Sequence, residues 1–422
     1  MQRRSPLWLI TFWYAAASLV AGLLLPRFEH AYLSTAVSHL SVASAQALLS
    51  SVASGMMALT GIVFSIAFVI VQFSSTAYSP RLTALIGQNP RLYHALGFFI
   101  ATFSYALATL GWVDRNKEGT VPFLSMALVF ALLGGSMVSL ALLVQQLGTL
   151  QITRVLRLVG NEGRRLIERE LAPSNAIAQA GDSNDDPAPA LADVTQIVTH
   201  QGEPLYVVGI DTKELARWAR EAEAVISLEY GIGDSVPNGF ALLRVHGGRR
   251  QLPEPALRQA VALFWSRTLD HDPEYALRLL VDIAIKALSP AINDPTTAVQ
   301  ALDQIEDLLS RMAKGRLETG RVVDAEGRLR VVVPRPTWQD YLSLAFDEIR
   351  LCGATSPQVI RRLRAALVAV GSATVRAADA AGVQAYRRHM DESIDASAFD
   401  DADRALARGS DRQGLGLTRD GV

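Results

Sequence analysis

The sequence predicts a mainly α-helical membrane protein: four transmembrane helices, then a cytosolic α+β region made of a small barrel-sandwich-like β module and a helical domain. Three observations predict it. Half of the 422 residues are hydrophobic and only 19% are charged. Four uncharged apolar stretches are each long enough to cross a hydrocarbon core, which takes about 20 helical residues. Charge also breaks along the chain: residues 1–172 carry 12 Lys/Arg against 6 Asp/Glu, whereas residues 173–422 carry 28 against 35. An acidic, water-exposed half without a basic stripe disfavours nucleic acid as a partner. The one cysteine, Cys352, excludes an intramolecular disulfide framework and a cysteine-clustered metal site.

The spans are read at 7–25, 55–73, 92–113 and 122–147 within a membrane domain over 1–150, and none holds Asp, Glu, Lys or Arg. The first follows Arg3 and Arg4 and is read as a retained anchor, its apolar run exceeding a usual signal core. With four crossings, Arg3, Arg4, Arg81, Arg91, Arg154, Arg157, Arg164, Arg165 and Arg169 share one side, while Arg27, Arg115 and Lys117 fall on the other. That bias puts both termini and the acidic half in the cytoplasm. Residues 31–54 lack charge, proline and glycine and run unbroken into the second span, predicting a long helix whose first part stands outside the membrane.

In the second span Gly61, Ser65, Phe68, Gln72 and Thr76 recur at helical spacing; in the fourth, Gly135 and Ser139 precede Gln145 and Gln146. Small and hydroxylated residues serve close helix packing. The same residues line a watery path when several subunits bring their second helices together. Both readings stand at the sequence level. Coupled carriers keep ionisable groups in their spans, so their absence here disfavours a pump.

Residues 151–172 form a basic amphipathic helix, its arginines either near anionic headgroups or simply solvated. Residues 173–193 lack periodicity and read as a flexible linker. The β module, 194–250, has strand-like runs at 195–199, 205–210, 225–230 and 240–245. Between them Asp211 and Glu214 predict a capping box. The run from Gly233 to Leu242 resembles the closing turn of barrel-sandwich domains such as lipoyl carriers, although Lys213 sits at a helix start and not on a hairpin tip. A helical domain over 254–390 follows, with helices at 255–269, 273–288, 295–314, 337–351 and 357–381 and a hairpin at 321–333. The tail, 391–422, is Asp-, Arg- and Gly-rich and reads as disordered.

The most distinctive run extends from Leu280 to Ala298, with Ser289-Pro290-Ala291-Ile292-Asn293-Asp294-Pro295-Thr296-Thr297 at its centre. With Phe73-Ser74, Ser79-Pro80-Arg81-Leu82 and Leu96-Gly97-Phe98-Phe99, it resembles a bacterial predicted-membrane-protein family, domain of unknown function 2254, over residues 6–380. The resemblance implies four spans and a cytosolic domain, hence a multi-pass bacterial inner-membrane protein, and it assigns no activity. From the residues themselves, Pro290 stops one helix, Asp294 caps the next and Pro295 suits its first position. A helix start also suits a small anion or a nucleotide phosphate, with Lys286, Ser289, Asn293, Asp294, Thr296 and Thr297 around it.

No catalytic motif stands out. His271, Asp272 and Asp282 invite comparison with helical metal phosphohydrolases but lack the further histidines, and capping of the helix at Pro273 by solvated residues accounts for them. No metal ligand set, cofactor or catalytic residue is assigned. The leading expectation is an oligomeric, channel-like protein regulated by its cytosolic domain. Its expected partners are the lipid bilayer, further copies of the chain, and a cytosolic protein or small anionic ligand. The rival is a non-conducting scaffold or envelope-stress sensor whose cytosolic domain binds a partner, and an enzyme at the Ser289–Thr297 turn comes third.

Overall fold

The computed structural model describes residues 8–32, 41–77, 90–113, 121–147, 152–171, 191–315, 320–397 and 399–416. The chain divides into two compact units, 1–151 and 152–422. The predicted linker therefore lies outside the described residues apart from 191–193, as do Arg3, Arg4, Arg81, Arg115 and Lys117.

Among the described residues the first unit has four helices: α1 (Trp8–Tyr32), α2 (Val42–Ala77), α3 (Pro90–Leu110) and α4 (Phe123–Leu147). Each contains a stretch apolar and long enough to span: Trp8–Tyr32, Val42–Ile66, Leu92–Leu110 and Phe123–Gln145. Helix α3 packs against the other three. One core joins Ala45, Leu49 and Ala53 of α2 to Tyr105 and Ala106 of α3 and to Met126 and Val129 of α4. This amends the expected external helix at 31–54. Residues 42–54 are packed into the bundle because Ala45, Leu49 and Ala53 form a buried stripe at four-residue spacing. Residues 33–40 lie outside the described set, and 31–32 end α1. The 36 residues of α2 hold no proline, and at 1.5 Å per residue the helix is about 54 Å long.

Glu29 ties two of these helices together. It is 3% exposed and accepts hydrogen bonds from the amides of Leu124 (2.7 Å) and Ser125 (3.1 Å) and from Ser125 Oγ (3.0 Å). A helix leaves its first four N–H groups unpaired, and here a carboxylate from α1 caps the start of α4. Glu29→Ala should lower stability by about 1–3 kcal/mol, since it strands buried donors, as read from thermal unfolding of the purified protein in detergent. An unchanged midpoint would show the cap to be dispensable.

The second unit opens with α5 (Ile152–Leu171). Val155, Leu156, Val159, Leu166 and Ile167 are buried, and the helix packs against α8 (Pro273–Ala287) and α9 (Pro295–Lys314). Arg164 bonds Asp307 at 2.7 Å and Arg311 bonds Glu168 at 2.9 Å. The basic helix is thus the first layer of the C-terminal unit, not a separate juxtamembrane segment. Gly163 permits the contact: a Cβ there would lie 2.8 Å from Leu308 Cδ1 and 3.2 Å from Ala276 Cβ. Gly163→Leu should cost about 1–3 kcal/mol by overpacking, detectable as faster amide exchange across 152–171; unaltered exchange would contradict it.

Strands β1 (Val194–Thr199), β2 (Leu205–Ile210), β3 (Ala224–Leu228), β4 (Ser235–Val236), β5 (Ala241–Gly247), β6 (Val261–Phe264), β7 (Arg321–Val323) and β8 (Leu329–Val332) form two sheets. One has the order β1-β5-β3-β8-β7 and the other β4-β2-β6. They share a core with Leu215 and Ala219 of α6 (Thr212–Glu221) and Leu257 of α7 (Glu254–Gln259). Two expected boundaries change. The helix expected at 255–269 ends at Gln259, because Val261 and Leu263 extend to pair with Ile210 and Val207 of β2. The hairpin expected at 321–333 forms, yet β8 lies parallel to β3, with Ile226 opposite Val331, so the β module recruits it. At α6 the cap is half of what was expected: Asp211 accepts from Glu214 N at 3.0 Å, but the Glu214 carboxylate is taken by Arg217. The full capping box is at Thr337 and Asp340, opening α10 (Trp338–Cys352).

Helices α8, α9, α10, α11 (Pro357–Ala373) and α12 (Ala377–Asp395) complete the helical layer. The helix expected over 357–381 is two helices, since Thr374 is extended (ψ 131°) and breaks the run. The tail expected to be disordered is ordered over 391–397 and 399–416, and residues 398 and 417–422 lie outside the described set. Helix α13 (Asp401–Ala407) is followed by a loop in which Asp411 accepts from the amides of Gln413, Gly414 and Gly416. Gln358 and Arg361 of α11 hold the carbonyls of Gly414 and Gly416. Local Asp–amide bonds explain how a glycine-rich tail becomes fixed.

Candidate functional site

The buried stripe of α2 is Ala45, Leu49, Ala53, Met56 and Val63. At 100° per residue the opposite face carries Ala47, Ser51, Ser54, Ala58, Gly61, Ser65 and Phe68, spaced four and three alternately, and every one of them is exposed. Among the described residues nothing lies within 4 Å of where a Gly61 Cβ would stand, and Ser65 Oγ donates to Gly61 O at 2.9 Å. Met57, Ile62 and Phe64, all large and exposed, flank this seam. Gln72 and Thr76 lie in α2, but their side chains fall outside the described set. Among the described residues, Gly61, Ser65 and Phe68 therefore lie outside the buried core of the four helices. The seam also runs further than the sequence reading took it, since Ala47 to Ala58 extend the spacing; reading the period back from Gly61 would have found them.

The small residues of α4 behave differently. A Cβ on Gly135 would stand 2.9 Å from Phe98 Cε1 of α3. Next to it, Ser136 Oγ shares a 2.8 Å hydrogen bond with Thr102 Oγ1, which also donates to Phe98 O. Ser139 is half-buried on the same helix and Gln145 is exposed. In α4, helix packing accounts for Gly135 and Ser136, whereas a Gly134 Cβ would meet nothing within 4 Å among the described residues.

At the Ser289–Thr297 turn, Ser289 Oγ donates to Lys286 O (2.7 Å), Asn293 N to Ser289 O (2.8 Å) and Asp294 N to Ala287 O (2.8 Å). Asn293 has φ +49°, the left-handed region that Asn tolerates better than most residues. Asp294 takes Thr297 N on Oδ1 (3.1 Å) and Thr297 Oγ1 on Oδ2 (2.6 Å), with Pro295 at the first helical position. The structure brings the six named residues together, and these bonds account for Ser289, Asn293, Asp294 and Thr297 as turn and cap. Lys286 and Thr296 take no part in the side-chain bonds, and the helix start already holds a carboxylate.

A further constellation surrounds Asp272. It caps α8, accepting from Tyr275 N at 2.7 Å, but it is 2% exposed, so the expected solvated cap is in fact a buried one. Its Oδ2 is buried with no donor among the described residues and faces the Glu274 carboxylate. Glu274 accepts from Tyr341 Oη of α10 at 2.6 Å. Arg267 donates to Gly233 O at 2.7 Å and stacks over Tyr206, 5.9 Å from its ring centre. Gly233 has φ +89°, and a Cβ there would stand 2.7 Å from Asp272 Oδ2. Burial pushes the Asp272 carboxyl up to about 8, with the Glu274 charge and hydrogen bond adding to it and the Tyr275 amide and Arg267 opposing. Asp282, ten residues along α8 and so about 15 Å away, pairs with Arg278 at 2.7 Å. His271 is exposed. These three groups therefore do not converge, and no cluster of three or more metal-binding side chains occurs among the described residues.

Four spanning helices joined to a C-terminal unit of helices and sheet define a polytopic membrane protein in contact with the lipid bilayer. The chain belongs to the family of predicted membrane proteins DUF2254, whose profile matches residues 4–369. Among its relatives are uncharacterized proteins of Mycobacterium tuberculosis and Mycobacterium bovis, each 28% identical over 377 residues, covering 87% of this chain and 71% of theirs. No solved structure matches.

Proposed function

We propose that this chain is an oligomeric inner-membrane protein whose copies meet along the outward seam of α2, enclosing a channel-like path regulated by the C-terminal domain. The observation that carries the reading is the seam itself. A helix face turned to lipid tails favours large apolar side chains, whereas Ala, Ser and Gly at alternating four and three spacing suit another helix at short range. The excess of arginine on one side supports a cytoplasmic location for both termini and for the C-terminal domain. Its β module, two sheets on one core, suits a barrel-sandwich arrangement.

The test is single-channel recording from protein in a planar bilayer, with Ser65→Trp/Gln72→Trp as the control. Discrete openings that the control abolishes are expected; conductance unchanged by both bulky residues would sink the pore assignment. A second reading, a non-conducting scaffold or sensor, draws on the Ser65 hydroxyl being satisfied within its own helix, as suits a dry seam. An oligomer without current, and with one stoichiometric partner on the C-terminal domain, would favour it.

A further inference from the structure

We propose that the outward face of α5 docks on anionic lipid headgroups, holding the C-terminal unit against the bilayer surface. With its apolar side packed on α8 and α9, α5 presents Thr153, Arg154, Arg157, Leu158, Asn161, Arg165, Glu168 and Arg169 to solvent, four arginines against one carboxylate.

The charge balance of this face is uneven. Of the α5 carboxylates, Glu162 pairs with Arg165 at 3.1 Å and Glu168 with Arg311 at 2.9 Å, while the Glu170 side chain lies outside the described set. Arg164 is turned to Asp307. Arg154, Arg157 and Arg169 are left with no carboxylate partner among the described residues. Two of them stand in the first two turns of a helix whose first turn holds no acid. That end of a helix favours anions, so cations there are unfavourably placed unless negative charge arrives from outside. Leu158, 48% exposed, lies one turn from Arg154 on the same face, an apolar contact among the guanidinium groups.

The position of the helix selects the occupant. Only four residues of sequence separate Leu147 at the end of α4 from Ile152 at the start of α5. A basic face tethered that closely to a span meets headgroup phosphates at high local concentration, and the charge complementarity is direct. The inference does not depend on the α2 seam or on conduction.

The test uses the full chain with Cys352→Ser and Leu158→Cys, labelled with an environment-sensitive dye. The protein is placed in nanodiscs of phosphatidylcholine alone or with about a third phosphatidylglycerol, each doped with a headgroup-quencher lipid. Quenching is expected to be at least about threefold stronger in the anionic discs and to be lost at about 0.5 M salt. Arg154→Gln/Arg157→Gln/Arg169→Gln should lose it too. Equal quenching in the two lipids, or insensitivity to salt in the native arginine background, would overturn the proposal. The salt arm needs no substitution among the arginines, so it decides the matter even for a variant that folds poorly.

Discussion

Asp272→Asn is expected to raise stability at neutral and alkaline pH and to flatten its pH dependence. In the native chain the folded protein holds the Asp272 carboxyl at about 8, far above its value in an unfolded chain. A carboxyl raised in this way stabilises the fold fully below its unfolded value, near 4, and that contribution drains away as pH climbs through about 8. The native chain should therefore lose several kcal/mol across that window, levelling off above it. The asparagine keeps an oxygen for the Tyr275 amide and turns an N–H donor toward Glu274, removing a carboxyl that would ionise in a buried place. Thermal midpoints of the purified protein at about pH 5, 7 and 9 check this. Parallel curves for the native chain and Asp272→Asn would show that the Asp272 proton does not govern stability.

Gly61→Trp combined with Ser65→Trp should abolish self-association while leaving the four-helix unit folded. The reasoning turns on empty space. Among the described residues no atom lies within 4 Å of the Gly61 Cβ position, so a large side chain there displaces none of them. If copies meet there, the same side chain forces two backbones apart, and packing that depends on close approach is lost. The contrasting control is Gly135→Trp, which meets the Phe98 ring at 2.9 Å and should unfold the unit. Cysteines at Ala58 and Ser65 in a Cys352→Ser chain should crosslink between copies in membranes, whereas cysteines at Met57 and Phe64 should not. Equal crosslinking at all four would place the contact elsewhere.

How legible the chain was depends on whether a local rule decides the structure. The spans, the strands at 205–210 and 241–247, and the caps at Asp294 and Asp272 follow from composition, alternation and Asp-Pro spacing, all short-range signals. The misreadings are long-range. Val261–Phe264 carries a pattern that fits a helix, and only β2, some fifty residues earlier, draws it into a strand. The hairpin at 321–332 gives no hint that its second strand will lie beside Ile226. Of the candidate residues, Gly61 and Ser65 were visible as a stripe, but which way that stripe faces follows from the opposite side of α2 packing on α3 and α4. Asp272 is visible as a cap, whereas its place against Gly233, remote in sequence, is not.

Glu29 has a consequence for biogenesis. The amides it receives belong to Leu124 and Ser125, nearly a hundred residues downstream, so the last spanning helix is completed by a side chain from the first. In an apolar surrounding an uncapped helix start is costly, and α4 reaches its stable form only beside α1. The start of α4 therefore gains its cap only once α1 lies beside it, so these two helices complete each other across the intervening pair.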